Sequence, residues 1–371
     1  MITVRDILGV MEEIAPEDLA ETWDNPGLHV GDPEWAVKRV CVALDPTFEV
    51  IEEAAADQVD LVITHHPLIF GPLYSLDLGS GLGKRIETAV KARVAVMCAH
   101  TNLDSVRGGV NDMLAEKLGL QSVEVLRAVE DTRYKAVIYV PKGHEQKLLE
   151  ALFASGLGEG KRYSCLSFRT EGTGTFLPGE TADPFLNPPK GELAQVDEYR
   201  IEIELGKNDL SALREVLNQT HPYEEVIWDL YPLPGRKGAN GLGRVGDLSE
   251  PGSFSAIVET VKTVFGLSVV KTAGNPRQLI QRVAVCSGSG RSLVGDFLSS
   301  DADVMISGDM GYHDGQRVAD AGKALIDIGH FCSEHIMVEG LSQRLSECLK
   351  SRGWDVAVVP FSSERDCFQY L

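Results

Sequence analysis

Short, unbroken apolar runs recur along this chain, each followed by a segment with helical spacing. Val40-Cys41-Val42-Ala43-Leu44, Leu61-Val62-Ile63 and Val94-Ala95-Val96-Met97-Cys98 are the first three, with helical patterns at 48–56 and 84–92 between them. Continuous apolar strands alternating with helices predict a mainly parallel sheet covered on both faces. Residues 4–15 predict a leading helix with Thr3 as its N-cap. Asn-Pro-Gly content makes 23–28 a loop, and glycine content does the same for 71–83. A similar order returns near residue 280, with strands at 283–286, 304–306 and 324–328 and a helix at 293–298. Val42 to Val62 spans 20 positions (62 − 42), and Val285 to Met305 spans 20 as well (305 − 285). The two ends of the chain therefore read as half-repeats of one architecture.

Between them the pattern changes. Strands are predicted at 134–140, 164–170, 199–205 and 226–230, helices at 145–154 and 210–217, and a Gly/Pro-rich loop at 172–191. The order βαββαβ is that of a ferredoxin-like module. The glycines from Gly238 to Gly246 mark the return to the host. The expected organisation is an N-terminal α/β lobe at 1–127, an inserted α+β ferredoxin-like domain at 128–235 and a similar C-terminal α/β lobe at 236–371.

Composition narrows the function. With 371 residues, 43% hydrophobic and 24% charged, the chain is long enough for two or three domains. A formal net charge of −20 argues against a broad footprint for nucleic acid or anionic membrane. No apolar run reaches the length of about 18 residues that a membrane helix needs. The first residues lack the basic and apolar regions of a signal peptide. The seven cysteines are scattered, without zinc-finger spacing or a disulfide framework, which points to reduced thiols and a cytoplasmic protein.

The candidate chemistry is histidine-centred. Of nine histidines, five lie in or beside three segments: Thr64-His65-His66-Pro67, Ala99-His100-Thr101-Asn102-Leu103-Asp104 and Gly329-His330-Phe331-Cys332-Ser333-Glu334-His335. His65 and His66 end an apolar run, at the carboxyl end of a strand where α/β folds gather ligands. His100 and His330 each precede a carboxylate, Asp104 and Glu334, by four residues. Mixed imidazole and carboxylate donors suit zinc, iron, manganese or cobalt. Five ligands exceed the three plus water of one open catalytic zinc and fit a pair of ions with a bridging carboxylate. Each residue also has a plainer role. His65 and His66 would be one core and one surface histidine. Asp104 and Glu334 would be helix N-terminal charges worth about 0.3–1 kcal/mol. His100 would be a ligand by the half-repeat, or a neighbour that hydrogen-bonds one. His335 would face solvent. Asp309, with Asp303 and His313 nearby, would orient a ligand or form a turn. Ser287-Gly288-Ser289-Gly290 would be a phosphate-cradling loop or, better, a tight turn. His221-Pro222-Tyr223-Glu224-Glu225 defaults to packing and turn roles.

At these residues the chain resembles the NIF-three-like family, labelled GTP cyclohydrolase 1 type 2 homologues. The resemblance rests on Trp23-Asp24-Asn25-Pro26-Gly27-Leu28, Thr64-His65-His66-Pro67, His100-Thr101-Asn102-Leu103-Asp104, Gly241-Leu242-Gly243-Arg244-Val245-Gly246 and Gly329-His330-Phe331-Cys332-Ser333-Glu334, which span nearly the whole chain. Pro26 departs from the family, where a small aliphatic residue is expected. The resemblance implies two divalent metal ions per chain, zinc first, with His65, His66, Asp104, His330 and Glu334 as ligands. It also implies homohexamers, and a PII/CutA-like insert in longer bacterial members, which residues 219–225 resemble. The implied activity is metal-dependent hydrolysis of an unidentified small molecule by a metal-bridging hydroxide, with His100 as candidate proton carrier. The competing function is a non-enzymatic metal-binding or regulatory hub whose insert senses a ligand.

Overall fold

The computed structural model describes residues 1–371 apart from 132, 161, 180–184, 186–190, 207–208, 235 and 370–371, and apart from the side chains of 130–131 and 236–237. The fold is mixed α/β with three sheets. It divides into two units, Met1–Val129 with Ala239–Leu371, and Glu130–Gly238.

The chain begins with α1 (Val4–Ile14), β1 (Gly27–Val30), β2 (Arg39–Ala43), α2 (Phe48–Ala56) and β3 (Leu61–Thr64), followed by α3 (Gly81–Ala92) and β4 (Ala95–Cys98). It continues through α4 (Thr101–Ser105), α5 (Val110–Lys117) and β5 (Gln121–Asp131). Thr3 closes a capping box with Asp6 at the start of α1. Helix α3 starts earlier than its apolar spacing predicts, because the Ser80 hydroxyl accepts the Gly83 N–H and caps it.

The middle unit contains β6 (Arg133–Pro141), α6 (Glu145–Ala154), β7 (Phe168–Phe176), β8 (Ala194–Gly206), α7 (Leu210–Thr220) and β9 (Trp228–Pro232). Its sheet runs β7-β8-β6-β9, with every neighbouring pair antiparallel. Leu148 and Leu152 of α6 and Leu213 and Leu217 of α7 pack on Ile138, Val140, Ile201 and Ile203. Strand β7 lies later than 164–170 and extends into the predicted loop. Its Gly, Thr and Glu positions are mostly exposed and carry no apolar alternation to read. Much of the rest of 172–191 lies outside the described residues.

The second half starts on β10 (Arg236–Ser253), and the glycines from Gly238 to Gly246 lie in this strand. There follow α8 (Phe254–Phe265), β11 (Lys271–Ala273), β12 (Leu279–Ser289), α9 (Val294–Ser299), β13 (Val304–Gly308) and α10 (Tyr312–Asp320). The chain ends through β14 (Ala324–Asp327), α11 (His330–Glu334), α12 (Ile336–Ser351) and β15 (Ala357–Pro360). Among the described residues no helix is long and apolar enough to cross a membrane.

The two sheets of the first unit repeat one plan. One runs β1-β4-β3-β2-β15, the other β11-β14-β13-β12-β10-β5. In each, three central strands are parallel (β2, β3, β4 and β12, β13, β14), and a short antiparallel strand flanks the third. The halves do not stay separate. Helix α12 buries Met337, Leu341, Leu345 and Leu349 against Val40, Val42 and Ile63 of the first sheet, and β15 pairs parallel with β2. Helix α5 in turn packs Leu114 on Val283, Val285 and Ile306, and β5 forms the edge of the second sheet. Each half thus gives its last helix and strand to the other. Met1–Val129 and Ala239–Leu371 accordingly fold together as one unit. Apolar faces this similar fit either sheet, and local pattern cannot say which.

Candidate metal centre

The site is assembled at the carboxyl ends of the parallel strands, where the chain crosses from one sheet to the other. His65 and His66 follow β3, and their N–H groups continue its ladder onto Ala43 O and Leu44 O. His100 caps α4, and Asp104 lies within it. His330 opens α11, and Glu334 closes it. A four-residue separation is one helical turn, so histidine and acid share a face in both short helices.

The structure brings all six side chains together. Three overlapping sets have donor atoms within 4.8 Å of one another: His65, His66 and His100; His66, His330 and Glu334; His65, Asp104 and Glu334. His65 Nε2 is 3.6 Å from both Asp104 Oδ1 and Glu334 Oε1. Glu334 Oε2 is 2.9 Å from His66 Nε2 and from His330 Nε2, and neither contact has hydrogen-bond geometry. His65 Nε2 is likewise buried without a hydrogen-bond partner. Among the described residues, neither Asp104 nor Glu334 (7% and 3% exposed) pairs with a Lys or Arg. Two buried carboxylates, the orphaned His65 Nε2, and His66 Nε2 and His330 Nε2 turned on each other at 3.2 Å fit a cation held at the centre of the cluster.

The outer contacts fix how the rings face. His65 Nδ1 donates to Ala99 O at 3.0 Å, which leaves Nε2 as the bare nitrogen. His66 Nδ1 donates to Asp45 Oδ1 at 2.8 Å, His100 Nδ1 to Asp24 Oδ1 at 2.8 Å, and His330 Nδ1 to Asp309 Oδ2 at 2.7 Å. An acceptor behind each imidazole is the usual support of a metal-binding histidine. Ser287 Oγ donates to Asp104 Oδ1 at 2.7 Å. Gly288 is left-handed (φ 55), and a Cβ there would lie 2.0 Å from Glu334 Oε1. The stretch 287–290 therefore backs the carboxylates.

These contacts set the protonation of the metal-free site. Burial pushes His66 down, but Asp45 and Glu334 reverse this and raise it to about 10. The Glu334 carboxylate beside it raises His330 to about 9, against its burial. Burial alone would raise Glu334, yet His65, His330 and His66 hold it well below the usual carboxylate range. Burial raises Asp104. The centre is a tight set of charged donors from which a metal must displace protons.

Several supporting residues carried no sequence signal for their role. Asp24 sits in a loop motif, yet it also accepts from Thr101 N–H. Glu364 accepts from Leu44 N–H and Asp45 N–H, both at 2.8 Å, and so supports the residue behind His66. Asn111 joins the two halves, with Nδ2 donating to Asp104 O and Oδ1 accepting from Ser287 N–H. Asp309, left-handed at φ 55, accepts from His330 Nδ1. Asp303 instead accepts from Gln281 N–H and Arg282 N–H at the start of the second sheet. His313 belongs to none of the donor sets among the described residues. His335 stacks on Phe331 and lies 3.6 Å from Glu364.

A model of the family Duf34/NIF3 (NGG1p interacting factor 3) matches residues 2–366. The chain belongs to the DUF34/NIF3 family. Relatives named "GTP cyclohydrolase 1 type 2 homolog" include those of Halalkalibacterium halodurans, 36% identical over 99% of this chain and 98% of the relative, and of Bacillus subtilis, 34% identical over the same shares. Among solved structures, a Bacillus cereus protein related to NIF3 superposes with a TM-score of 0.80 at 34% identity, covering 100% of this chain and 99% of its own. A Staphylococcus aureus protein superposes with a TM-score of 0.84 at 29% identity and the same coverage. For this DUF34/NIF3 member the family and the α/β fold are thus established, together with a His/Glu cluster able to hold metal.

Proposed function

We propose that this protein is a metal-dependent hydrolase whose cluster holds two divalent ions, zinc first and iron, manganese or cobalt as alternatives. The observation that carries it is the set of four imidazoles, each with Nδ1 anchored, around two buried carboxylates. His65, Asp104 and Glu334 would hold one ion, and His66, His330 and Glu334 the other, with Glu334 common to both sets. Ions held there supply Lewis acidity and make water more acidic. The protein's part is to fix the donors and manage protons. His100, anchored on Asp24, keeps Nε2 for taking up or giving a proton and is the candidate general acid–base. The relatives' name makes GTP the first substrate to try, with other nucleotides, phosphodiesters and cyclic amides after it. A homohexamer acting in the cytoplasm on a small molecule completes the proposal.

The test is elemental analysis of purified protein, then a turnover screen with metal supplied. We expect two ions per chain, and we expect His65→Ala or Glu334→Ala to lose both metal and turnover. A stoichiometry of one ion per chain would refute the paired site. Turnover that persists in metal-stripped protein would refute metal-dependent hydrolysis. A metal-loaded protein inert throughout the screen would favour the non-enzymatic alternative.

A further inference from the structure

We propose that the metal centre takes a substrate with a planar aromatic ring, which stacks on Trp23 and Phe70 while a group attached to the ring reaches the ions. The inference rests on the hydrolase reading above and names its substrate class. Trp23 and Phe70 are 55% and 59% exposed, yet they lie side by side, with ring centroids 5.9 Å apart and planes inclined by 28°. Apolar side chains exposed singly are ordinary on a protein surface. A stacked aromatic pair beside a polar centre is the mark of a binding surface.

Both rings belong to segments that build the centre. Trp23 precedes Asp24, which accepts from His100 Nδ1 and from Thr101 N–H. Phe70 follows His66 by four residues. The two segments are tied to each other. Asn25 Nδ2 donates to Ile69 O at 2.7 Å. His29 Nε2 donates to Asn25 O at 2.7 Å, and its Nδ1 accepts the Ile69 N–H at 3.2 Å. Burial pushes His29 down, which keeps it in this neutral form. One half-buried imidazole thus locks together the segments that carry the two rings. The platform is set before a ligand arrives, and this lowers the ordering cost of binding.

The ring contacts relate the platform to the ions. Trp23 meets His100 edge to face at 5.9 Å, and His100 meets His65 at 5.2 Å and His66 at 5.7 Å. The platform therefore begins one imidazole away from these donors, within reach of a substituent on the bound ring. The bond hydrolysed lies in that substituent or joins it to the ring, and the ring itself stays intact. An organic cation would also be drawn to ring faces, but beside two divalent ions it meets repulsion. A neutral ring with an anionic substituent avoids this and gains stacking beyond its buried area.

The test is calorimetric titration of the intact, metal-loaded protein with phenylphosphonate, benzylphosphonate and ringless methylphosphonate, whose carbon–phosphorus bonds resist hydrolysis. We expect at least one ringed probe to bind about tenfold or more tighter than methylphosphonate, as stacking of one ring provides. Trp23→Ala should remove that advantage and leave metal content and methylphosphonate affinity as they were. Phe70→Ala should reduce it, and this variant decides the matter if Trp23→Ala does not fold. Equal binding of ringed and ringless probes, binding of none, or a ring advantage kept by the folded variant would each overturn the platform. A changed oligomeric state of Trp23→Ala in ultracentrifugation would show that a second copy covers the rings, and would overturn it too. Metal content and the turnover screen judge the hydrolase reading separately, because the ring advantage is a ratio taken at fixed metal content.

Discussion

The acceptor behind each histidine, a carboxylate for His66, His100 and His330 and the Ala99 carbonyl for His65, decides what that histidine can do. Asp309 has no direct place in the donor sets, yet it fixes the ring of His330. We expect Asp309→Ala to weaken metal binding by about 10–100-fold with His330 still present. A competition titration against a chelator would read this, and an unchanged affinity would remove Asp309 from the centre. Proton release makes a second prediction. His66 and His330, raised to about 10 and about 9, stay protonated at neutral pH in the metal-free protein. Their raised values stabilise the metal-free fold fully below 6.5, and this contribution is lost as pH climbs through the folded values. Metal can bind only as these protons leave. Affinity should therefore rise from neutral pH up to about 10 and level off above it. Calorimetry in buffers of different ionisation enthalpy counts the protons, and zero release at neutral pH would contradict the arrangement.

At the scale of elements, the two short helices α4 and α11 hold the acids, and each is followed by the helix that crosses to the other sheet. The crossing after α4 is clamped by Arg244 of β10, a residue 2% exposed. Its guanidinium donates to Asp112 Oδ2 at 2.7 Å and Oδ1 at 2.9 Å, and to Val106 O, Gly241 O and Gly243 O. Removing it leaves Asp112 with the Gly108 N–H alone and takes a donor from four backbone carbonyls, Ser105 O included. Arg244→Ala should cost about 3–5 kcal/mol of stability, as loss of a buried ionic partner does. Chemical denaturation would measure it, and a loss below 1 kcal/mol would mean that the clamp carries little. The strands that feed these helices were legible because both faces of each are covered, which leaves an unbroken apolar run. Strands β7 and β10 were not, since one is exposed and the other is rich in glycine.

At the scale of the whole molecule, the middle unit enters and leaves through neighbouring strands. Gly241 lies against Arg127 O and Ala128 Cα, so the chain returns close to where it left. Replacing residues 130–238 with a short Gly/Ser link should leave a folded unit that keeps its metal affinity. Loss of the metal would show that the centre depends on the insert. The sequence by itself determined the three histidine segments and the repeated strand spacing, because periodicity and one-turn spacing are local properties of the chain. Only the tertiary structure decided which half covers which sheet, and it brought Asp24, Asp45, Asp309 and Glu364 behind the donors or their supports. Those choices depend on contacts between residues far apart in sequence, such as Leu44 and Glu364, and local patterns of polarity do not encode them.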